Sequence, residues 1–157
     1  MPSCADRSSR SLRRGRVTGT VKRGGCDGVA DELAVQRLIS TYCQMVDDGR
    51  FAEVATLFAD GGVFENRGVR IAQQQLVSFL EEAQLPERRG RHSCGYALVQ
   101  FEGDDNAHAA TDFVFMGRAD GAFFVKFVGR YHDTLRRGPH GWQFVERRVA
   151  YVDPAVT

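Results

Sequence analysis

Two residues of the sequence, Asp47 and His92, have side chains suited to acid–base chemistry near neutral pH. Asp47 closes a stretch of helically spaced apolar residues, and a carboxylate at a helix C-terminus is electrostatically unfavourable without a partner or abundant water. His92 follows a basic segment at 88–91, where a surface histidine would be ordinary. If the carboxylate instead holds the imidazole, the free ring nitrogen can remove a proton from carbon beside a leaving group or a carbonyl. The sequence therefore predicts either a catalytic pair or two separate, solvated polar residues.

Tyr42 and Asp112 are two further candidates for catalytic roles. Tyr42 lies on the apolar stripe of the same helical stretch, where a tyrosine is either a core residue or a donor that polarises a substrate oxygen. Asp112 interrupts a strand pattern, and a carboxylate on an apolar face is costly unless it is paired or faces a polar cavity. We interpret it as a base or orienting acid, or else as a structural acid paired with an arginine. The residues that share its predicted face are Ala110, Val114 and Met116.

The walls of a pocket would come from the aromatic residues and from the later strands. Alternation sends some of Arg130, Arg147 and Arg148 inward, so we expect one of them to reach the pocket or to pair with Asp112, although one β-bulge would exchange the faces. The sequence contains no helix-spaced pair of metal ligands and no glycine-rich phosphate loop, so we expect neither a metal nor a cofactor. The residues assigned to substrate binding are Phe58, Phe64, Val114, Met116, Phe127, Arg130 and Arg147.

The elements that must position these residues change their hydrophobic period near residue 90. Before it, helical spacing predicts a first helix from the N-cap Asp31 to Asp47, then helices over 50–57 and 71–83, with a short strand at 63–65. After it, alternation and short turns predict strands over 92–101, 107–116, 122–136 and 142–152. This order predicts a cone-shaped α+β domain, in which three N-terminal helices pack on a strongly curved antiparallel sheet and enclose a pocket.

Residues 1–30 differ in composition from the rest of the chain. They carry seven basic residues against two acidic ones, so we predict a basic, disordered tail followed by the folded domain at 31–157; a targeting peptide or a nucleic-acid arm is the alternative. The remainder has no clustered basic face, so no nucleic-acid partner is expected. No apolar stretch approaches the roughly 20 residues that span a bilayer, so no membrane partner is expected. Four cysteines without a C-x-x-C pair indicate a reduced, cytoplasmic protein.

Motifs near both ends of the predicted domain resemble those of a known superfamily. Tyr42 and Asp47 stand five residues apart and are followed by FAEVATLFAD at 51–60. The last two predicted strands contain GRYHDTLRR at 129–137 and GWQFVER at 141–147. In this order and at this distance, these motifs resemble the SnoaL-like branch of the nuclear transport factor 2-like superfamily, over residues 31–153. The resemblance implies the same fold, in a superfamily that includes dehydratases, isomerases, cyclases, epoxide hydrolases and binding domains.

Within that branch, the pattern is most similar to scytalone dehydratase and hexachlorocyclohexane dehydrochlorinase. In those enzymes an aspartate at the end of the first helix pairs with a histidine at the start of the first long strand, and Asp47 and His92 occupy the matching positions. The resemblance implies that His92 is the general base, that Asp47 orients its ring, and that Tyr42 looks into the pocket. Asp112 departs from the pattern, because scytalone dehydratase has a second, water-holding histidine there.

Taken with the resemblance, these residues predict a cofactor-independent lyase or isomerase, dehydratase- or cyclase-like, for a small, mostly apolar oxygenated molecule such as a polyketide, terpenoid or aromatic intermediate. Opening of an epoxide by Asp112 with an arginine is one alternative. The other is a domain of the same shape that binds a small molecule or dimerises without turnover. Because the sheet face away from the helices commonly forms dimers in this superfamily, we also expect a homodimer or higher homo-oligomer through the sheet.

Overall fold

Three helices and seven strands make up residues 25–152, the part of the chain that this computed structural model describes. The helices are α1 (Gly25–Asp48), α2 (Phe51–Thr56) and α3 (Leu76–Ala83), with short 3-10 turns at Gln73–Gln75 and Pro86–Arg88. The strands are β1 (Phe58–Asn66), β2 (Val69–Ala72), β3 (Arg91–Cys94), β4 (Leu98–Glu102), β5 (Asn106–Ala119), β6 (Ala122–Gly138) and β7 (Gly141–Tyr151). Among these described helices, none has the length and apolar character that crossing a membrane requires.

The seven strands form one curved sheet in the order β2-β1-β7-β6-β5-β3, and β4 also pairs with β5. The helices pack on one face of this sheet, so the predicted α+β fold is confirmed. Register shifts in the β5–β6 and β6–β7 pairs mark bulges, which increase the local bend of long strands. One pairing corrects the prediction of an antiparallel sheet, because β1 runs parallel to β7 and the sheet is therefore mixed. No local turn joins these two strands, so short-range sequence signals could not reveal their direction.

The core lies between the helices and the inner face of the sheet. Along β5 every second residue is buried, including Phe113 and Phe115. Asp112, which directly precedes Phe113, is exposed. The helical spacing that predicted α1 is the spacing of its buried residues, Val35, Leu38, Ile39, Tyr42 and Val46. Each fully buried apolar side chain of this size contributes about 1.5–3 kcal/mol, so this face of α1 fixes the helix on the sheet.

The start of α1 differs from its prediction. The helix begins at Gly25, so Asp31 is not its N-cap and the predicted tail overlaps the helix by residues 25–30. Asp31 is instead buried, and its Oδ1 accepts hydrogen bonds from Arg137 Nη2 at 2.6 Å and from Trp142 Nε1 at 3.3 Å. A long-range ion pair therefore accounts for Asp31, which the sequence pattern had predicted to cap the N-terminus of the helix. The remainder of the predicted tail, residues 1–24, lies outside the described residues.

Two other predicted elements, the helix over 71–83 and the strand over 92–101, are each divided in the structure. Ile71 belongs to strand β2 rather than to the first turn of α3, which begins only at Leu76. The strand predicted over 92–101 is two strands, β3 and β4, separated by residues 95–97. Both strands pair with β5, so the interruption leaves a gap in one edge of the sheet beside the end of β3.

Candidate active site

Helix α1 ends in a turn at Gly49, two residues after Asp47. Gly49 has a φ of 74°, a left-handed conformation that suits glycine. Its N–H donates to the Val46 carbonyl at 3.1 Å, and the Arg50 N–H donates to the Met45 carbonyl at 2.8 Å. These two bonds form the Schellman pattern of a helix end. Asp47 therefore lies in the last turn, where the helix dipole disfavours a carboxylate that has no partner.

His92 lies on β3, a short edge strand that comes close to β5. It stands opposite Phe115 in the register of the two strands. The approach depends on Gly90, because a Cβ at that position would lie 1.9 Å from the Met116 carbonyl oxygen. Within β3, His92 and Cys94 are half-buried and the residues that alternate with them are exposed. The strand therefore presents His92 on the inner face of the sheet, beside the end of α1.

The carboxylate of Asp47 holds His92 with both of its oxygen atoms. Oδ1 lies 2.6 Å from the ring Nδ1, and Oδ2 accepts a 2.8 Å hydrogen bond from the His92 backbone N–H. Only 9% of the His92 side chain and 6% of the Asp47 side chain are exposed, so little water competes for this contact. A carboxylate accepts the Nδ1 proton, so the contact favours the tautomer whose Nε2 is unprotonated. Within the described side chains, Nε2 has no hydrogen-bond partner.

The ring of His92 forms part of a narrow, mostly aromatic pocket between α1, α3 and the sheet. The free space in it measures about 80 Å³. The His92 ring centroid lies 4.7 Å from that of Phe115 and 6.1 Å from that of Phe113. Asn66 and Gln84 are polar residues in the lining. The apolar lining includes Phe64, Phe79, Leu80, Phe127, Val149 and Tyr151. Two residues predicted to bind substrate, Phe64 and Phe127, thus lie on the pocket wall.

Two tyrosines, Tyr42 on α1 and Tyr131 on β6, also line this pocket. Their ring centroids are 6.2 Å apart. Burial raises the pKa of Tyr42, although the charge of Arg147 works in the opposite direction. Burial also raises the pKa of Tyr131. Both phenols are therefore neutral at physiological pH, and neither hydroxyl makes a hydrogen bond within the described part of the chain. Two O–H donors remain for a bound molecule.

Behind the tyrosines, Arg147 and Asp133 form a completely buried ion pair. Arg147 Nε donates to Asp133 Oδ1 at 2.8 Å, and Nη2 donates to Oδ2 at 2.7 Å. The guanidinium carbon lies 4.2 Å from the Tyr42 ring centroid and 4.3 Å from that of Tyr131. Burial opposes the charge of Arg147, but the attraction of Asp133 raises its pKa overall. Arg147 does not line the pocket, so it supports the two rings instead of binding substrate as the sequence analysis expected.

The outer face of the sheet carries four residues that were predicted for the site. Asp112 is 69% exposed and pairs with Arg130, which is 53% exposed, with 2.6 Å between Arg130 Nε and Asp112 Oδ1. The hydrogen bond from Arg130 lowers the pKa of Asp112. Val114 and Met116 share this outer face. Their predicted place in the pocket is wrong, because β5 turns Phe113 inward and alternation sends the even-numbered residues away from the helices. Opening of an epoxide by Asp112 within the pocket is therefore ruled out.

Phe58 is the other substrate-binding prediction that the structure corrects. It is buried in the core, with its ring centroid 5.2 Å from that of Phe144 and 6.3 Å from that of Tyr42. It does not line the pocket between α1, α3 and the sheet. As the first residue of β1 it packs where that strand meets β7, so it supports Tyr42 from outside the pocket.

Sequence analysis did not single out Tyr131 or Asp133. These residues are two apart on β6 and share a face with Leu135, which is fully buried. The available signal was Leu135, an apolar residue that continues the alternation and indicates that this face of β6 points inward. The pairing of Asp133 with Arg147 carried no comparable signal, since it depends on the register between β6 and β7.

The described side chains include no group of three or more His, Cys, Asp or Glu residues close enough to hold a metal ion. At the candidate site, both oxygens of Asp47 already bond to His92. The free ring nitrogen and the two phenols therefore remain for a ligand, together with the polar lining residues Asn66 and Gln84.

The chain matches the family model of the SnoaL-like domain over residues 27–148. None of the curated proteins is significantly similar to the chain in sequence. The matched segment begins at the third residue of helix α1 and contains nearly all of the sheet. It therefore includes every residue of the candidate site except Val149 and Tyr151.

Several solved structures share the fold. A protein of unknown function from Mycobacterium tuberculosis has a TM-score of 0.75 at 24% identity, covering 83% of this chain and 79% of that one. A nuclear transport factor 2-like protein with a cystatin-like fold from Novosphingobium aromaticivorans has a TM-score of 0.74 at 24% identity, covering 83% and 87%. A protein described as a scytalone dehydratase from the same species has a TM-score of 0.70 at 17% identity, covering 80% and 87%. At these identities the likeness establishes the fold alone.

Proposed function

Because the chain belongs to the SnoaL-like domain family, we propose that it is a cofactor-independent lyase or isomerase in which Asp47 and His92 are the acid–base pair. The observation that carries the proposal is the buried 2.6 Å contact between Asp47 Oδ1 and His92 Nδ1, beside an aromatic pocket. It leaves Nε2 without a partner. A general base needs such an oriented ring with one unoccupied nitrogen within reach of a bound substrate.

In the proposed reaction, His92 Nε2 removes a proton from a substrate carbon that lies beside a carbonyl or a leaving group. The imidazolium that forms is stabilised by the adjacent Asp47 carboxylate, which also keeps the ring in one orientation. The Nε2–H then returns the proton, to another carbon in an isomerisation or to a departing oxygen in a dehydration. General acid–base catalysis of this kind contributes about 10²–10⁴-fold to a rate.

The two phenols supply the other half of the proposed chemistry. Negative charge develops on the substrate oxygen as the proton leaves carbon, and a neutral O–H donor stabilises that charge without carrying one of its own. Tyr42 and Tyr131 are both neutral and unpartnered at the pocket. In this proposal Tyr42 polarises the substrate oxygen, as predicted from the sequence, and Tyr131 is a second donor.

The lining favours a small, mostly apolar oxygenated substrate. Ligand pockets usually offer about 300–1,000 Å³, so the free space of about 80 Å³ here requires lining side chains to move when a substrate enters. Helix α3 supplies Phe79 and Leu80 to the wall, so movement of these two side chains would enlarge the pocket. The name of the structural relative described as a scytalone dehydratase makes dehydration the first reaction to test.

We also propose that two copies of the chain form a homodimer through the outer face of the sheet. Apolar side chains on this face are exposed at Leu98 on β4 and at Phe123, Val125 and Val128 on β6. Burial of such residues between two copies of the chain would remove them from water. Light scattering should give twice the monomer mass, and Val128→Asp should shift the protein towards the monomer, because Val128 pairs with Val114 on the outer face. A wild-type protein that is monomeric at all concentrations would refute the proposal.

A substrate screen with matched histidine variants tests the proposed function. The panel should contain hydroxylated cyclic ketones and other β-hydroxycarbonyl compounds, whose dehydration or isomerisation is followed by the absorbance of the conjugated product. His92→Ala should lower turnover at least 100-fold, by the magnitude expected for a general base. His132→Ala, on β6 and outside the pocket, is the matched control and should retain the wild-type rate. Equal rates for wild type and His92→Ala would eliminate His92 as the base.

A further inference from the structure

A second contact joins α1 to β3 beside the acid–base pair. The sulfur atoms of Cys43 and Cys94 are 3.2 Å apart, and both residues are free thiols. Cys43 precedes Asp47 by four residues on the helix, and Cys94 follows His92 by two residues on the strand. Residues at these spacings share a face of their element. The dithiol and the acid–base pair are therefore neighbouring contacts between the same two elements.

The two thiols differ in access and in acidity. Cys43 is buried, whereas Cys94 is only half-buried, next to Gly95 at the gap between β3 and β4. The hydrogen bond from Cys43 lowers the pKa of Cys94, with a further lowering by the charge of Arg147, whereas that bond and burial raise the pKa of Cys43. The less buried of the two cysteines is thus also the one that forms a thiolate more readily, and the thiolate is the nucleophilic form.

We propose that Cys43 and Cys94 are a reversible redox site, which a hydroperoxide oxidises to a disulfide that joins α1 to β3. The Cys94 thiolate attacks the peroxide oxygen, the O–O bond breaks, and Cys94 sulfenic acid and hydroxide form. The Cys43 thiol then loses its proton and attacks the Cys94 sulfur, releasing water as the S–S bond forms. In total two thiols and one hydrogen peroxide give one disulfide and two waters, and a dithiol reductant reverses the change.

Formation of the disulfide requires a small movement of α1 against β3. A disulfide has sulfur atoms about 2.05 Å apart, so the present 3.2 Å must close by about 1 Å. Asp47 and His92 lie on the same two elements, so this movement changes their contact. A displacement of that size can reduce catalysis about 100-fold. The effect on turnover rests on the proposed function, whereas formation of the disulfide does not. In the cytoplasm, which we propose as the compartment, such a bond would be transient.

Peptide mapping of the full-length wild-type chain tests the redox site without any variant. The reduced protein is treated with hydrogen peroxide, alkylated and digested with trypsin under non-reducing conditions. Cleavage after arginine places Cys43 in peptide 38–50 and Cys94 in peptide 92–118. We expect these peptides to be disulfide-linked after oxidation and separate after dithiothreitol. Two unlinked peptides after oxidation, or links from either one chiefly to the peptides that carry Cys4 or Cys26, would overturn the proposal.

Two serine variants test the assignment of the attacking and resolving sulfurs. In Cys43→Ser, Cys94 should still react with peroxide and remain as a sulfenic acid that dimedone traps. In Cys94→Ser, the buried Cys43 should react at least 10-fold more slowly, because a lower thiolate fraction and poorer access both slow the reaction. Equal trapping rates at the two cysteines would refute the assigned order of attack.

The consequence for the site is measured on the oxidised wild-type protein. The NMR signals of the His92 ring should shift on oxidation and return on reduction, and the same treatment of Cys43→Ser should not produce the disulfide-dependent shift. The melting temperature should rise, because the bond constrains the unfolded chain between residues 43 and 94. A disulfide that lowers the melting temperature would show that it forms outside the native fold. Unchanged turnover with a confirmed disulfide and a shifted His92 signal would count against the proposed function, not against the redox site.

Discussion

A paired aspartate lies on each side of the sheet, Asp47 of helix α1 on the inner side and Asp112 of β5 on the outer side, and the two pairs have different chemical capacities. The contact between Asp47 and His92 and that between Asp112 and Arg130 are both 2.6 Å long, so distance does not distinguish them. The outer pair uses two N–H donors on both carboxylate oxygens and is surrounded by water. The inner pair is buried and leaves His92 Nε2 unpartnered at a pocket. What makes the inner pair a candidate site is the atom that remains free.

A third pair shows that burial alone does not make a site either. Asp133 and Arg147 are completely buried, but the carboxylate is satisfied on both oxygens and the guanidinium lies against aromatic rings. Neither residue lines the pocket. The role of the Asp133–Arg147 pair is therefore structural. Variants on the two faces have to be compared for turnover and, separately, for stability.

The largest expected effect comes from removing one carboxylate charge on each face. Asp47→Asn should lower kcat by about 10²–10⁴-fold, because the amide neither fixes the ring tautomer nor stabilises the imidazolium. Asp112→Asn should leave kcat unchanged, because Asp112 is exposed on the opposite face. Initial rates with a substrate from the screen measure both, with circular dichroism as the control for folding. A loss of activity in Asp112→Asn that equals the loss in Asp47→Asn would remove the distinction between the faces.

Stability should separate the faces in a second way. Arg147→Met should lower the free energy of unfolding by about 3–5 kcal/mol, because it leaves the Asp133 carboxylate buried without a counter-charge. Arg130→Met should lower the denaturation midpoint only slightly, since its partner is exposed and screened by water. Urea denaturation of both variants gives the comparison. A shift for Arg130→Met as large as that for Arg147→Met would contradict it.

The phenols should produce a smaller change in turnover. Tyr42→Phe should lower kcat by about 100-fold with little change in KM, because the hydroxyl stabilises charge that develops only in the transition state. Tyr96→Phe is the matched control on an exposed tyrosine and should behave as wild type. If Tyr42→Phe raises KM and leaves kcat intact, the hydroxyl binds substrate without stabilising the transition state.

The smallest expected effect is the dependence of stability on pH. Arg130 lowers the pKa of Asp112, so the outer pair stabilises the fold above the unfolded aspartate pKa of about 3.9, and this contribution is lost as the pH falls through the lower folded value. The raised pKa of Arg147 has the opposite sign: its contribution is complete below the unfolded arginine pKa and is lost only above about pH 12.

Denaturation midpoints measured between about pH 3 and pH 9 test the sign given for the outer pair. The small difference between wild type and Asp112→Asn should vanish towards the acid end. A difference that is as large at about pH 3 as at about pH 9 would contradict the lowered pKa of Asp112.

The features that local periodicity controls were predictable from the sequence. Helical spacing marked the buried face of α1, and the change of period near residue 90 marked the start of strands β3 to β7. Because Asp47 lies in the last turn of α1 and His92 near the start of β3, their elements were located before any contact was known. Tyr42 was placed on the correct face of α1 for the same reason.

The features that depend on strand register or long-range pairing were not predictable. Asp112 and Phe113 are adjacent, so one residue of phase decides which of them faces the pocket, and either phase of β5 offers apolar residues. The partner of Asp31 lies more than 100 residues away, at Arg137. The contact between Cys43 and Cys94 likewise requires knowing how α1 crosses β3.

The proposed role of Asp47 depends most directly on the tautomer of the His92 ring, which nitrogen-15 NMR can measure without a substrate. At a pH where the ring is neutral, with the signal assigned by His92→Ala, we predict a proton on Nδ1 and none on Nε2 in the wild type. In Asp47→Asn the tautomers should become mixed. A proton on Nε2 in the wild type, or a tautomer population that Asp47→Asn leaves unchanged, would contradict the claim that Asp47 prepares His92 as a base.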